Sequence, residues 1–301
     1  MPRLLVLLMA TNRSGRNRKS MNQIVLNSPK WVIAALSLFS TTTLLATSIV
    51  ALRRPTHIAI AADTLGRFLA DNPNGERKTI SHCKIHSSGG FFFALAGFTS
   101  DINSGFDTSP ITAHALLRVG KIEVRSKRVV ADIRAPLLKA VQRIYREASP
   151  EVAMPIIGDE SHPIAVLQLL VFGVENGIPE VVSANFTRIN NEKHEPVGIN
   201  AEVHVCPGEG CKDGEAYWLL GEQDAIVKAI NGPSVPIWTG NDAADVRKLV
   251  SVEIADKPKL VGPPIDVLIV DAPGGHHWLT PLGRCSCRPS NVPKPTPEKT
   301  K

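Results

Sequence analysis

The sequence predicts an α+β domain in which helices pack outside layers of β-sheet. Short apolar and β-branched runs occur in blocks, and segments with the 3.6-residue spacing of amphipathic helices lie between these blocks. Residues 49–52 and 57–62 are two such runs, and the turn-forming Arg53-Arg54-Pro55-Thr56 between them predicts a hairpin. Residues 47–301 are long enough to bury a core of their own, and no internal repeat divides them.

The elements after this hairpin are predicted in chain order. Residues 65–78 are polar and rich in turn-forming residues, so they are predicted to form a loop. Strands are predicted at 79–86 and 91–96. A helix is predicted to begin with Asp132 as its cap, which places Pro136 in the first turn, where proline is tolerated. Its apolar residues recur at helical spacing, namely Leu137, Leu138, Val141, Ile144 and Tyr145.

The second half of the chain continues with strand and helix signals. Helices are predicted from Gly221 and over residues 242–255. Strands are predicted at 164–174, 180–186, 201–205, 216–220, 265–270 and 277–280. The proline-, lysine- and threonine-rich end, residues 285–301, predicts a disordered tail. The chain is therefore divided into a leader, residues 1–46, a folded domain, residues 47–284, and this tail.

All of the net charge lies in the leader. Residues 1–46 hold six of the 34 basic residues and none of the 28 acidic ones, so the rest of the chain carries 28 of each. A basic, acid-free start followed by an apolar run is typical of a secretory signal. The balanced remainder gives no reason to expect nucleic acid as a partner.

Two interpretations of the leader remain open. Residues 31–52 contain 22 residues without a charge, long enough for a membrane-spanning helix. Seven serines and threonines and a strand-like end favour a shorter signal peptide that is cleaved between Ala46 and Thr47. Cleavage predicts an exported protein, periplasmic or extracellular, whereas a retained leader predicts a membrane-anchored one. Met21 begins a more ordinary signal and is an alternative start.

Three further segments complete a set of residues suited to nucleophilic catalysis. Thr47 is followed by Asp63 in an apolar run, then by Lys84 in Cys83-Lys84-Ile85-His86, and then by Gly97 at the end of another apolar run. A threonine that becomes the first residue of a chain gains a base, its own α-amine. The set therefore predicts a nucleophile with its charge partners and a backbone donor for an oxyanion.

In these residues the sequence resembles the proteasome β-subunit and HslV-like family of N-terminal-nucleophile (Ntn) threonine hydrolases. The run Thr47-Ser48-Ile49-Val50-Ala51-Leu52-Arg53-Arg54, followed by His57 and Ala61-Ala62-Asp63, is similar to that family's mature N-terminus in residue type and spacing. Lys84-Ile85-His86 is similar to its lysine-containing strand, and Ala96-Gly97 to its oxyanion turn. The resemblance covers roughly residues 47–101. It implies a four-layer αββα sandwich.

The resemblance also implies a role for each residue. Thr47 Oγ attacks an amide carbonyl while the freed α-amine accepts the hydroxyl proton. The Lys84 ammonium favours the neutral, basic form of that amine, and Asp63 keeps Lys84 charged and in place. The Gly97 N–H donates to the developing oxyanion. The family's assembly into rings implies a homo-oligomer.

A substrate pocket is implied near the same strands. The resemblance places it around His82, His86, Leu95 and Thr99. The expected function is a threonine-type amide hydrolase, with a peptidase acting on peptide or protein substrates favoured over a non-peptide amidase.

Departures from the family's pattern support a different alternative, a catalytically inactive binding scaffold that is exported or membrane-anchored. Leu220 stands where the family usually has a serine, and Pro258-Lys259-Leu260-Val261 stands where an aspartate and a serine are expected. Asp256 is two residues out of register. These missing groups normally steady the threonine and its amine.

The cysteines and histidines give weaker signals. Cys206 and Cys211 flank a turn-forming loop and are candidates for a disulfide, with free thiols or half of a metal site as the alternatives. His57, His82, His86 and the adjacent pair His276-His277 do not have the spacing of metal ligands. No metal and no cofactor is predicted.

Overall fold

The computed structural model describes residues 47–68, 78–81, 83–158, 164–208, 211, 214–232 and 238–279. The predicted leader and tail, His82 and the Ala46 side of the predicted cleavage site lie outside these ranges. The strands are β1 Ser48–Arg53, β2 His57–Asp63, β3 Leu65–Phe68, β4 Lys78–Ser81, β5 Ile85–Ser88, β6 Phe91–Gly97, β7 Ser100–Asp101, β8 Phe106–Asp107, β9 Leu167–Glu175, β10 Ile178–Asn190, β11 Pro196–Cys206, β12 Ala216–Gly221, β13 Ile265–Asp271 and β14 His276–Trp278. The α-helices are α1 Thr108–Leu116, α2 Ile122–Glu147, α3 Pro150–Ile157, α4 Asp224–Asn231 and α5 Asp242–Asp256.

The first sheet is built around the predicted hairpin. Its strand order is β12-β1-β2-β13-β14, and each neighbouring pair is antiparallel. All six residues of β1 are buried, which agrees with a run that is apolar along its whole length rather than at alternate positions. The hairpin prediction is confirmed, since Ile49 pairs with Ala62 and Arg53 pairs with Ile58.

The second sheet has the order β11-β10-β9-β6-β5 and is also antiparallel throughout. Its side chains alternate between two apolar clusters. On β6, Phe92, Ala94 and Ala96 pack with side chains of the first sheet, including Ile60 and Leu268. The alternate residues of β6 point the other way and belong to a cluster with α1, α2 and α3, namely Phe91, Phe93 and Leu95.

A third cluster covers the other side of the first sheet. Val50 and Ala61 pack there against Val246 and Leu249 of α5, together with Ile226 of α4. Each sheet thus buries both of its faces, which explains why β1 and β2 lack the alternation of a half-exposed strand. The protein is a mixed α/β domain with several antiparallel sheets.

Three sequence predictions in the first half are wrong. Residues 65–78 are not a loop throughout, because β3 pairs with β4 in a separate two-stranded sheet, and the strand predicted at 79–86 is divided into β4 and β5. The long helix does not begin at Asp132, because α2 already starts at Ile122. Pro136 therefore lies in the helix interior, where the buried face of this 26-residue helix outweighs the lost hydrogen bond.

No helix in the described part of the chain is long and apolar enough to cross a membrane. The last five residues of the uncharged stretch, Ser48 to Leu52, belong to strand β1 rather than to a helix.

Candidate active site

Antiparallel pairing brings four chain segments together at one end of the strands of the first sheet. Thr47 directly precedes β1, and the next residue, Ser48, pairs with Gly221 at the end of β12. Asp63 ends β2 and pairs with Ile265 at the start of β13. Thr47, Asp63, Gly221 and the loop before β13 therefore lie at the same end of the sheet, although they are far apart in the sequence.

A buried ion pair lies at this end of the sheet. Lys84 Nζ donates to Asp63 Oδ1 at 2.6 Å, and the two residues expose 2% and 0% of their surface. Lys84 comes from the second sheet's side, immediately before β5, so the pair joins the two sheets. The predicted contact between Asp63 and Lys84 is present in the structure.

Backbone amides satisfy the rest of the Asp63 carboxylate. Oδ1 also accepts from the Ser48 N–H at 2.7 Å, and Oδ2 accepts from the N–H groups of Leu65 and Gly262 at 3.1 and 3.2 Å. A buried charge is tolerated when its lone pairs find donors in this way. The Ser48 bond places the carboxylate one residue away from Thr47.

Burial shifts both members of the pair. Burial lowers the pKa of Lys84 from 10.5 to about 8, while Asp63 acts in the opposite direction. Burial also raises the pKa of Asp63, against the effects of Lys84 and the amide donors. A buried lysine whose pKa is perturbed by burial and by a specific carboxylate partner is a physical mark of a functional site, and below this pKa it carries the positive charge that would favour a neutral amine nearby.

The Thr47 backbone is held by the end of β12. Its carbonyl oxygen accepts from the Glu222 N–H at 2.6 Å. Gly221, with φ of 76°, lies so close that an added Cβ would collide with the same carbonyl oxygen. Only glycine meets both demands, a left-handed backbone and a close approach. Thr47 itself is almost buried, with 9% of its surface exposed.

Gln168 on β9 links this end of β12 to the second sheet, and sequence reasoning did not find it. Its Oε1 accepts from the Gly221 N–H at 2.7 Å, and its Nε2 donates to Asn185 Oδ1 at 3.3 Å. On the other side Gln168 pairs with Ala96, next to Gly97. Gln168 thus connects strand β6, which carries Gly97, to Gly221, which lies against the Thr47 carbonyl.

Gly97 also has a backbone that favours glycine. Its φ is 92°, and a Cβ there would lie 2.6 Å from the Val166 carbonyl oxygen. The same carbonyl accepts from the Phe98 N–H at 2.8 Å. Gly97 therefore ends β6 in a tight turn beside β9, as expected of a turn that presents backbone groups rather than a side chain.

The described residues of the predicted pocket lie along the second sheet. His86 stacks on Phe93 with ring centroids 5.0 Å apart, and burial lowers the pKa of His86. Leu95 packs in the cluster that faces the helices. The Thr99 carbonyl accepts from the N–H and Oγ1 of Thr108 at 2.9 and 2.8 Å. His86 and Leu95 thus lie on the helix-facing side of the sheet.

A cluster of charged residues next to the site was also missed. Lys257 Nζ donates to Glu222 and Asp224 at 2.6 and 2.9 Å and lies 3.5 Å from Glu253. The sequence signal was the acidic Glu222-Gln223-Asp224 after Gly221 and the i,i+4 pair Glu253 and Lys257. Nothing in the sequence shows that these two segments meet.

The cysteine candidates lie elsewhere. The structure pairs Cys206 and Cys211 in a disulfide, with their Cα atoms 5.3 Å apart. Cys206 pairs with Val181 near the start of β10. The part of β10 next to the Gly97 turn is further along the strand, where the Phe186 carbonyl accepts a hydrogen bond from the Val166 N–H. Within the described ranges, no group of three or more His, Cys, Asp or Glu side chains is arranged to hold a metal ion.

Comparison with solved structures finds a likeness to Anbu (ancestral beta-subunit) from Yersinia bercovieri. The two chains are 13% identical, the match covers 77% of this chain and 87% of that one, and the TM-score is 0.43. Neither protein-family models nor curated protein sequences gave a match. The roles of individual residues therefore depend on the contacts within this chain.

Proposed function

We propose that the protein is a threonine-type amide hydrolase, a peptidase in its most favoured form, built on a four-layer αββα sandwich. The nucleophile is Thr47, which becomes the first residue of the chain after removal of the leader. Asp63, Lys84 and Gly97 support it.

The observation that carries this proposal is the buried Asp63–Lys84 pair beside Thr47. Replacing a buried ion pair with apolar residues is often neutral or stabilising, so such a pair is weak evidence for a role in stability. A buried lysine with a perturbed pKa at the end of a sheet, next to a hydroxyl residue, is a functional-site candidate on physical grounds. The hydrogen bond from the Ser48 N–H to the Asp63 carboxylate fixes the ion pair relative to Thr47.

The proposed reaction proceeds by acyl transfer. Thr47 Oγ adds to the substrate carbonyl as its proton passes to the α-amine, directly or through a water molecule. The oxyanion accepts a hydrogen bond from the Gly97 N–H. Collapse breaks the C–N bond, the ammonium returns the proton to the departing amine, and an acyl ester remains on Thr47. Water then attacks this ester and releases the carboxylic acid product.

Lys84 supplies the electrostatic part of this mechanism. A free α-amine has a reference pKa of about 7.7–8.0, and a nearby ammonium lowers it, so more of the amine is in its basic form at neutral pH. Asp63 keeps Lys84 in place. The substrate side chains are proposed to meet His82, His86, Leu95 and Thr99, as the resemblance implies.

Maturation, location and assembly belong to the same proposal. The Ala46–Thr47 bond must break, because the nitrogen of an internal threonine is in an amide bond and cannot act as a base. Signal peptidase or the domain itself performs this cleavage, and the product is an exported homo-oligomer. A retained leader would instead give a membrane-anchored scaffold without activity.

A β-lactone tests the proposal, because it acylates an activated hydroxyl and leaves a stable mass increase. The protein expressed from the full gene is treated and digested, and the modified residue is identified by mass spectrometry. We expect one adduct, on Thr47, and none in Thr47→Ala. Thr56→Ala, at the other end of β1, is the matched control and is expected to react like the wild type. A folded wild-type protein without the Thr47 adduct would favour the inactive scaffold.

A further inference from the structure

Lys257 lies where the two loops that hold the proposed site come together. It follows α5 directly, and its side chain is mostly buried, with 16% exposed. Its ammonium contacts three carboxylates, those of Glu222, Asp224 and Glu253. Sequence reasoning gave none of these residues a role.

One set of contacts runs from Lys257 to the nucleophile. Lys257 Nζ donates to Glu222 Oε2 at 2.6 Å, and the side chain of Glu222 is only 2% exposed. The backbone N–H of the same glutamate donates to the Thr47 carbonyl at 2.6 Å. The ammonium therefore holds in place the residue that orients the Thr47 backbone.

A second set of contacts runs from Lys257 to the ion pair. Its carbonyl oxygen accepts from the N–H groups of Leu260 and Val261, both at 2.9 Å, which turns the chain into Gly262. The Gly262 N–H donates to Asp63 Oδ2 at 3.2 Å, and the Gly262 carbonyl accepts from Thr64 at 3.2 Å. The backbone of Lys257 thus shapes the turn that contacts Asp63.

The charge balance makes the side chain important. Glu253 is fully buried, and its Oε2 already accepts from the N–H groups of Ala225 and Ile226 at the start of α4. Without the Lys257 ammonium, the buried carboxylates of Glu222 and Glu253 would face each other without a cation, with the half-exposed carboxylate of Asp224 beside them. Repulsion between like charges would drive Glu222 toward solvent and displace its backbone.

We propose that Lys257 is a positioning residue that couples the Thr47 backbone to the Asp63–Lys84 pair. This inference rests on the proposed function, since it concerns the alignment of the same nucleophile. It also gives the site a support of its own where Leu220 and residues 258–261 lack the hydroxyl and carboxylate side chains that the family resemblance leads one to expect. Lys257 contacts neither substrate nor the reacting atoms in this role.

The test compares Lys257→Met, Lys257→Arg and Glu222→Gln with the wild type, using β-lactone acylation of Thr47. Lys248→Met, which changes an exposed lysine of α5, is the matched control. We expect Lys257→Met to lower the maximal acylation rate constant about 100-fold, as small misplacements of reacting groups do, with an unchanged half-saturating lactone concentration. Glu222→Gln should lower it less, Lys257→Arg should recover part of the rate, and Lys248→Met should match the wild type.

A second measurement does not depend on reactivity. Hydrogen exchange of the Glu222 and Gly262 amides is followed in the same variants, below the melting temperature of each. We expect both amides to lose protection together in Lys257→Met and to keep it in Lys248→Met. If Lys257→Met does not fold, the Lys257→Arg and Glu222→Gln pair carries the same comparison.

The outcomes separate the two proposals. A reactive wild type whose rate is unchanged in Lys257→Met overturns the coupling and leaves the hydrolase proposal intact. An unreactive wild type overturns the hydrolase proposal and, with it, the role of Lys257 in positioning a nucleophile. In either case, unchanged protection of the Glu222 and Gly262 amides would show that Lys257 does not hold these two backbones.

Discussion

The two ends of the β1–β2 hairpin each carry an ion pair between side chains, and the surroundings of the two pairs differ. At the turn end, Arg54 makes two bonds of 2.9 Å to Asp242, whose Oδ2 also lies 2.9 Å from His57 Nε2, and Arg54 contacts Glu215 as well. At the open end, Lys84 contacts Asp63 out of reach of solvent. Both clusters tie the hairpin to a neighbouring element.

The direction of the pKa shifts distinguishes the two ends. Burial pushes the pKa of Asp242 upward, but Arg54 and His57 outweigh it, so the net shift is downward. At Asp63 burial exceeds the effect of its partners, and the pKa is raised. The turn end therefore gains stability from its charges, whereas the open end holds charge at a cost. A costly ion pair is expected where chemistry requires it.

The largest expected effect separates cost from function at the open end. Lys84→Met leaves the Asp63 carboxylate buried without its cation, so we expect about 3–5 kcal/mol of lost stability in urea unfolding. Acylation of Thr47 should fall about 100- to 1,000-fold, as when one electrostatic group in an active site is removed.

The double variant Asp63→Asn/Lys84→Met is the control for this prediction. It removes both charges and keeps an acceptor for the Ser48 amide, so most of the stability should return while reactivity does not. Recovery of reactivity together with stability would mean that the pair is only structural.

The next effect concerns the close approach of Gly221 to Thr47. Gly221→Ala adds a methyl group against the Thr47 carbonyl as well as strain at positive φ, so a loss of about 3 kcal/mol or more is expected in urea unfolding. Gly274→Ala has a similar φ of 93° but open space around the added atom. It should lose only the strain, about 1–2 kcal/mol. Equal losses would show that the contact with Thr47 is unimportant.

The Lys84 charge should also appear in the pH profile of acylation. Because the pKa of Lys84 is about 8, raising the pH through this value removes the ammonium, and the rate should fall on the alkaline side. Lys84→Arg stays charged, so its alkaline limb should move upward by about one pH unit or more. A limb in the same place in both proteins would assign it to another group.

The smallest effect is expected at the turn end. Asp242→Asn should cost about 1–2 kcal/mol near neutral pH and leave Thr47 acylation unchanged. Since the folded pKa of Asp242 is lowered, its stabilisation is present above the ordinary carboxyl pKa of 3.8 and is lost as pH falls through the folded value. Urea unfolding at several pH values checks this, and a difference that persists at low pH would contradict it.

The two ends of the hairpin also differ in how much of their structure could be predicted from the sequence. The hairpin was predictable because β1 and β2 are apolar along their whole length and separated by a turn. The Asp63–Lys84 contact followed only from a resemblance, since nothing local in 79–86 shows which face Lys84 takes. Gln168 and Lys257 were missed because their partners lie 53 and 35 residues away in the chain.

The start of α2 shows a different limit. Asp132 and Pro136 looked like a helix start because cap residues and proline prefer first turns. In the structure the helix begins after Lys121, which makes no side-chain cap, and Arg125 instead donates to the Leu116 carbonyl. Tertiary packing of Ile122, Val129 and Ile133 under the second sheet extends the helix past the local signals.

The most direct test is the N-terminus of the mature protein. Protein expressed from the full gene in an exporting host is purified and its intact mass and N-terminal sequence are determined. We predict a chain that begins with Thr47, because only then does the nucleophile have its α-amine as a base. A folded protein that retains residues 31–46 would contradict it, since Thr47 would then be an internal residue without a base.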